Sequence, residues 1–435
     1  MATLIKQAYL LGLAAEASDS VDADGKGDVL ITDGHITAIA PTLAEQPKGV
    51  EIVEGKGQFL GPGLIDLYSQ SGEPGHESRE TLQSLRQAAA AGGFTRVGLL
   101  PNTQPAVDNA GAIATIRSAQ QPQSGPIPQD PISQAEVMPW AAITLGTKGA
   151  QLSELAELAQ AGAIGFTDSQ PLTSPVLIRR LLEYAQPLQK PIALWPYDPQ
   201  LGGDGVAREG ADALRLGLRG VSAIAETSLL TTLLECVAEI QTPVHLMRIS
   251  TARSVELIRR AKADGLPISA SVPWHHLVFD THDLRQYDPN LRHDPPLGTP
   301  TDRQGLIEGI VDGTLDTIAI DHSPYTYEEK TVAFDATPPG AIGLELALPI
   351  LWETFVTPGT WSPPQLWKYL TTGPAHCLSL RPPQLAIGAP ADITLFDPKV
   401  SWQVREDSLQ SLASNTSFLS QPIQGKASRI WVSHL

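Results

Sequence analysis

The stretch GLIDLYSQSG, residues 63–72, decides the fold of this chain. An apolar run that reaches Asp66 and then offers alternate polar residues is typical of the end of a buried barrel strand. Side chains alternate between the two faces of a strand, so Tyr68 and Gln70 are predicted to point the same way. Two histidines at these positions could bind one metal ion together, whereas tyrosine and glutamine are poor metal ligands. The stretch therefore raises the question of whether the chain is an enzyme.

Short β-rich runs alternate with helical stretches from about residue 60 onward. Eight such runs over about 300 residues predict an α/β fold built on a (β/α)8 TIM-like barrel, with a doubly wound open sheet as the alternative. The candidate strands are 63–68, 95–100, 137–144, 163–166, 191–195, 243–249, 267–272 and 316–321. The helical stretches between them include 80–91, 152–161, 175–185, 229–239 and 252–263.

The two ends of the chain have a different pattern from its middle. Apolar and polar residues alternate before residue 57 and again after residue 378, with a turn signal at Asp33-Gly34. We therefore predict three segments: the halves of one small β-sandwich domain at 1–57 and 378–435, and the barrel at 58–377. The alternative for the first residues is a signal peptide, but their pattern continues directly into the strand-turn-strand sequence DVLITDGHITAIAP.

Composition limits the classes of partner. The net charge of −17 works against nucleic acid and anionic membranes as partners, and the longest apolar runs fall short of the about 18 residues of a membrane span. Two cysteines, Cys236 and Cys377, give neither a disulfide framework nor a cysteine metal cluster. We expect a cytoplasmic protein.

Functional groups of such a barrel project from the carboxyl ends of its strands. The residues at the predicted ends are Tyr68, Gln70, Asn102, Lys148, Asp168, Trp195, Arg248, His275, His276, Asp321 and His322. Any chemistry is expected among these side chains.

Several motifs agree in order with a known family. They are the stretch GPGLIDLYSQSGEPGHESRETLQSLRQAAAAGGFTRVGLLPNTQPAVDN at 61–109, GFTD at 165–168, HLMRISTARSVELIRRAK at 245–262, HHL at 275–277, DPPL at 294–297, IDHSPY at 320–325 and ADITLFDP at 391–398. Together they resemble the type I dihydroorotases of the amidohydrolase superfamily. That family closes or opens the dihydroorotate ring with zinc-activated water, in which the metal acts as a Lewis acid.

The resemblance implies that four of the family's six zinc ligands are missing, all of them histidines. The two histidines of the first strand fall on Tyr68 and Gln70. The histidine of the fifth strand falls on Trp195, and that of the sixth falls on Arg248.

The two aspartate ligands of the family are kept. They fall on Asp168 at the fourth strand and on Asp321 at the eighth, which is also the family's general-base position. On the substrate side, Asn102 matches a family contact, but the arginine that grips the substrate carboxylate falls on Gly72.

Arg248 offers a replacement for the lost metal charge. Two inward carboxylates without a metal would repel each other, and a guanidinium pairs with carboxylates in a fixed fork. We predict that Arg248 contacts Asp321, Asp168 or both, against the alternative of an unpaired surface arginine.

These substitutions predict a non-catalytic homologue without a cofactor. Metal-less members of this family resemble the inactive partners that support aspartate carbamoyltransferase in pyrimidine synthesis, so a homo- or hetero-oligomer is expected. The alternative is an active dihydroorotase or another cyclic amidohydrolase with an unusual or absent metal site, and zinc would be its cofactor.

Overall fold

The computed structural model describes residues 2–14, 21–44, 47–120 and 134–433. Its strands are β1 (Ala2–Leu10), β2 (Lys26–Thr32), β3 (His35–Ala40), β4 (Glu51–Glu54), β5 (Phe59–Pro62), β6 (Leu64–Ser69), β7 (Phe94–Leu99), β8 (Glu136–Pro139), β9 (Ala193–Leu194), β10 (Ala207–Arg208), β11 (Gly220–Val221), β12 (Val244–Leu246), β13 (Ile268–Pro273), β14 (Thr317–Ala319), β15 (Ile393–Gln403) and β16 (Pro422–Trp431).

Helices separate most of the barrel strands. They are α1 (Leu82–Ala91), α2 (Ala110–Ser118), α3 (Leu155–Ala161), α4 (Pro175–Ala185), α5 (Pro199–Gly202), α6 (Ala211–Arg215), α7 (Ile224–Ile240), α8 (Ala252–Ala263), α9 (His275–Val278), α10 (Pro300–Val311), α11 (Tyr327–Lys330), α12 (Ala347–Leu351), α13 (Pro363–Leu370) and α14 (Thr372–Cys377). Among these residues, no helix has the length and apolar character needed to span a bilayer.

Strands from both chain ends form one seven-stranded sheet in the order β16-β15-β5-β1-β2-β3, with β4 paired to β1. The predicted pairing of the two ends is confirmed. Apolar side chains from both ends, including Ile5, Leu60 and Ile393, are buried together in its core. The sheet extends further than expected, because β5 pairs with β1 and β15 although it lies beyond the predicted boundary at residue 57.

The barrel consists of two runs of parallel strands. One run is β6-β7-β8 and the other is β9-β12-β13-β14. Phe166 joins them, since it forms bridges with Ala141 on one side and with Ile192 on the other. The predicted fourth strand at 163–166 is thus reduced to a single bridging residue.

Backbone hydrogen bonds between the eighth and first strands close the barrel. The amide of Asp321 donates to the carbonyl of Tyr68 at 3.2 Å, and the amide of Gln70 donates to the carbonyl of His322 at 2.8 Å. Closure brings the end of β6 beside the segment that follows β14, and these segments carry several of the predicted site residues.

The predicted helices at 175–185 and 252–263 are confirmed as α4 and α8, while the predicted sixth strand is too long. α8 begins where the side chain of Thr251 accepts the amide hydrogen of Ser254, and it buries its apolar face. The strand before it, β12, ends at Leu246 rather than at residue 249. Arg248 has a left-handed backbone with φ of 55°, which does not fit an extended strand.

Candidate functional site

A small cavity of about 120 Å³ opens at the carboxyl ends of the barrel strands. It is lined by Gln70, Asn102, Gln170, Trp195, Arg248, Pro273, His275, His276, His293, Asp294, Asp321, Ser323, Tyr325, Pro339 and Gly340. Seven of the eleven residues expected at the strand ends therefore meet here in space, whereas Tyr68, Lys148, Asp168 and His322 do not line the cavity.

Arg248 and Asp321 form a two-point ion pair in this cavity. Nε of Arg248 donates to Oδ2 of Asp321 at 2.8 Å, and Nη2 donates to Oδ1 at 2.7 Å. The two side chains are only 6% and 13% exposed, so the pair is largely shielded from water. The predicted contact between these residues is confirmed, and both carboxylate oxygens of Asp321 are engaged by the guanidinium.

The backbone beneath this pair is held in an unusual conformation. Ser169, Arg248 and Asp321 each have a positive φ, of 54°, 55° and 50°. The carbonyl of Ser169 accepts a third hydrogen bond from Arg248, through Nη1 at 3.1 Å. Left-handed backbone at residues other than glycine costs about 1 to 3 kcal/mol each and persists only where the surroundings enforce it. The ion pair and the strained strand ends thus support one another.

Aromatic side chains surround the guanidinium. The centre of the Arg248 guanidinium lies 5.0 Å from the ring of Trp195 and 5.9 Å from the ring of Tyr68, within the range of cation–π attraction. Trp195 stacks in turn on Tyr197 at 5.0 Å. Burial opposes the charge of Arg248, but the neighbouring carboxylate of Asp321 outweighs burial and raises the pKa of the guanidinium. Arg248 therefore carries a permanent positive charge.

Tyr68 is fully buried and forms part of a hydrogen-bonded chain across the barrel. Its hydroxyl accepts the amide hydrogen of Arg248 at 3.2 Å and lies 3.0 Å from Oγ of Ser271. The same Oγ lies 2.9 Å from Nε2 of His245. Burial raises the pKa of Tyr68 and lowers that of His245 to about 3, so both side chains are uncharged. Tyr68 is therefore a structural residue rather than a free metal ligand.

Gln70 is held in a chain of neutral polar groups. Nδ2 of Asn102 donates to Oε1 of Gln70 at 3.2 Å, and Nε2 of Gln70 donates to Oγ of Ser323 at 3.0 Å. Ser323 donates to the carbonyl of Asp321 at 3.2 Å. Asn102, predicted as a substrate contact, thus bonds to Gln70, which stands where the family resemblance implies a histidine.

Asp168 lies apart from the Arg248 pair. Thr144 donates to it twice, through the backbone amide at 2.9 Å and through Oγ1 at 2.6 Å. Burial raises the pKa of Asp168 to about 6, while the bonds from Thr144 act in the opposite direction. Of the two partners considered for Arg248, the structure shows Asp321, while Asp168 is bonded to Thr144.

Three buried histidines form the opposite wall. The rings of His275 and His293 lie 4.3 Å apart, and His276 bonds through Nε2 to the carbonyl of Pro295 at 3.1 Å. Burial lowers the pKa of His276 to about 4 and holds the pKa values of His275 and His293 well below their usual range. Asp294 lines the same cavity, and burial raises the pKa of its carboxyl.

Sequence reasoning missed the serine and threonine partners of the site. Thr144 is the last residue of a predicted strand, and Ser271 alternates with Ser269 in another. Because side chains alternate between the two faces of a strand, each strand could have been predicted to point a polar side chain into the barrel. Their partners were not, because Tyr68 and Ser271 are 203 positions apart and meet only when the barrel closes.

The donor set at the family's metal position does not fit zinc. Zinc takes about four ligands from cysteine, histidine and carboxylate side chains. Here Asp321 is paired through both oxygens with Arg248, and Asp168 is bonded to Thr144. Within the described ranges, no three His, Cys, Asp or Glu side chains are arranged to hold a metal ion.

Comparison with known proteins identifies the family. Residues 57–252 match the family described as "Dihydro-orotase-like". A "Probable dihydroorotase-like protein" from Synechocystis sp. is 41% identical over 418 residues, which cover 92% of this chain and 93% of that protein. The chain belongs to the dihydroorotase-like family. A "Dihydroorotase" from Pelotomaculum thermopropionicum is 37% identical and covers 92% of this chain and 91% of its own.

Solved structures agree with the barrel fold of this dihydroorotase-like chain. An L-hydantoinase (dihydropyrimidinase) from Arthrobacter aurescens superposes with a TM-score of 0.82 at 19% identity, covering 100% of this chain and 97% of that one. A D-hydantoinase superposes with a TM-score of 0.78, also at 19% identity. The predicted TIM-like barrel is thus confirmed, and at this identity the likeness concerns the fold alone.

Proposed function

We propose that this chain is a non-catalytic member of the dihydroorotase-like family that acts as a structural or regulatory partner of aspartate carbamoyltransferase in pyrimidine synthesis. The observation that carries the proposal is the ion pair of Arg248 with Asp321, at the positions of two family zinc ligands. A guanidinium supplies positive charge there without an open coordination position, so it neutralises Asp321 and activates no water.

The former substrate side supports the same proposal. Gly72 stands where the family has the arginine that grips the substrate carboxylate. A Cβ at Gly72 would overlap the carbonyl oxygen of His76, so the backbone leaves no room for a longer side chain. Among the described residues, the cavity thus has neither a donor set arranged to hold a metal ion nor an arginine at position 72 to bind the substrate carboxylate.

A zinc and activity measurement tests the loss of catalysis. Purified chain is incubated with zinc, dialysed and analysed by elemental analysis, and dihydroorotate formation from carbamoyl-aspartate is assayed with and without zinc. The Pelotomaculum thermopropionicum dihydroorotase serves as the positive control. We expect no bound zinc and no turnover above background. Two equivalents of zinc, or zinc-dependent turnover, would refute the proposal.

The partner is tested separately by co-purification. Tagged chain expressed in its own organism is isolated, and aspartate carbamoyltransferase is sought by mass spectrometry and by its activity in the eluate. We expect a stoichiometric cytoplasmic complex that dissociates or loses activity when this chain is deleted. Normal assembly and activity of aspartate carbamoyltransferase without this chain would exclude the partnership and leave the loss of catalysis unaffected.

The second candidate is an active cyclic amidohydrolase with an unusual or absent metal site. It is favoured by relatives named dihydroorotase that match over nine-tenths of the chain. This candidate is also supported by Asn102 and Asp321, which match family positions and line the cavity. Turnover of dihydroorotate or another cyclic amide that survives a metal chelator would favour this candidate.

A further inference from the structure

The guanidinium of Arg248 has hydrogen-bonding capacity that the protein leaves unused. An arginine side chain carries five N–H donors. Among the described residues, Arg248 uses three of them, two toward Asp321 and one toward the carbonyl of Ser169. One N–H remains on each of the two terminal nitrogens. These nitrogens are neighbours in a rigid plane, which is the arrangement that binds the two oxygens of a carboxylate.

This side chain borders the cavity at the strand ends. The cavity measures about 120 Å³. An engineered cavity of about 150 Å³ in another protein accepts benzene, so the space here suits a ligand smaller than a six-membered ring. Acetate and bicarbonate are within this limit, whereas a six-membered ring that bears a carboxylate exceeds it.

Cations around the cavity favour a negative ligand. Beyond burial, the charge of Arg208 lowers the pKa of His276. Arg292 contributes to lowering the pKa of His293, after burial and the neighbouring His275, His276 and Lys330. Each effect reports positive potential at the histidine wall. Asp294 opposes it from the same cavity, while Arg248 and Asp321 compensate each other's charge.

We propose that this cavity is a binding site for a small planar oxyanion of the carboxylate type, held by the two free N–H groups of Arg248. The amides of Gln70 and Asn102, which line the same space, supply further polar contacts. The site differs from the family's substrate site in its anchor, because Arg248 occupies a former metal-ligand position. It is independent of the proposed partnership with aspartate carbamoyltransferase.

Calorimetric titration tests the proposal with acetate and bicarbonate as probes. The purified full chain is titrated at constant ionic strength, with chloride as the anion control. We expect saturable binding of at least one probe and none of chloride. Arg248→Lys keeps the charge but removes the planar fork, so we expect affinity to fall about tenfold or more. The matched control is Arg259→Lys, in an exposed pair with Asp312, which should bind like the parent.

A second variant keeps the test decisive if Arg248→Lys does not fold. Asp294→Asn removes a negative charge from the cavity and should tighten binding about threefold or more. A crystal structure of the parent chain soaked in acetate should show the anion at the terminal nitrogens of Arg248. Absence of saturable binding to the parent chain, equal binding of chloride, or an anion bound elsewhere would overturn the proposal.

Discussion

The carboxylate of Asp321 accepts two hydrogen bonds from the guanidinium of Arg248, at 2.8 Å and 2.7 Å, and both residues stand at positions where the resemblance to the dihydroorotases implies zinc ligands. The pair links the segment after the sixth barrel strand to the segment after the eighth. The guanidinium thus bridges these two strand ends directly.

Replacing Arg248 with methionine should destabilise the chain by about 3 kcal/mol or more. Removal of one partner leaves the carboxylate of Asp321 largely buried without a counter-charge, and breaking such pairs costs about 3 to 5 kcal/mol. The free energy of unfolding is measured by urea denaturation. The control Arg259→Met breaks a pair whose side chains are each 45% exposed, and should change stability by less than about 1 kcal/mol. Equal effects of the two variants would contradict the structural role of Arg248.

Removing the hydroxyl of Tyr68 should cost about 1 to 3 kcal/mol. Tyr68→Phe leaves the amide hydrogen of Arg248 buried without its acceptor and removes the contact with Ser271. Thermal unfolding monitored by circular dichroism measures the loss. Tyr184→Phe, on an exposed tyrosine of α4, is the control and should leave the melting temperature unchanged. A melting temperature of Tyr68→Phe equal to the parent's would show that the hydroxyl is dispensable.

Any side chain at Gly72 should disturb the loop after β6. In Gly72→Ala, the new Cβ would overlap the carbonyl oxygen of His76 and crowd that of Glu80, so the backbone has to move. We expect a loss of about 2 kcal/mol or more in unfolding free energy. Gly111→Ala, near the start of α2, meets only a side-chain oxygen and serves as the control, within about 0.5 kcal/mol of the parent.

Restoring histidines at positions 68, 70, 195 and 248 together should not restore full dihydroorotase activity. The replacements return metal donors, but Gly72 still leaves the substrate carboxylate without its arginine. We expect the quadruple variant to bind more zinc than the parent and to remain far below the Pelotomaculum thermopropionicum enzyme in kcat/KM. Turnover equal to that enzyme would show that the missing ligands were the whole defect.

Stability should depend on pH through Glu345, a buried carboxyl that accepts the amide hydrogens of Gln410 and Ser411. Burial raises its pKa to about 7 from an ordinary value of 4.5. Because the folded state binds this proton more tightly, its contribution to stability is complete below about pH 4.5 and is lost as pH rises through 7. Glu345→Gln should flatten the fall in melting temperature over that window. An unchanged slope would show that Glu345 does not control it.

Several features of the fold could be predicted from the sequence because they depend on local patterns. The apolar run at 63–68 and the helical periodicity in 175–185 and 252–263 depend on neighbours in sequence, and the structure reproduces them closely. The fourth barrel strand was harder to predict from the sequence. Only Phe166 bridges to both neighbours there, and such pairing depends on the curvature of the closed barrel rather than on the composition of the strand.

The sequence by itself determined which residues stand where the family resemblance implies histidine ligands, since Tyr68, Gln70, Trp195 and Arg248 are read directly from their places in the motifs. Only the tertiary structure decided which carboxylate pairs with Arg248. The choice of Asp321 over Asp168 as the partner of Arg248 depends on the left-handed backbone at the strand ends and on Thr144, which satisfies Asp168 first. Ion pairs form between groups that the closed barrel brings within hydrogen-bonding distance, and that distance cannot be calculated from the positions of the residues along the chain.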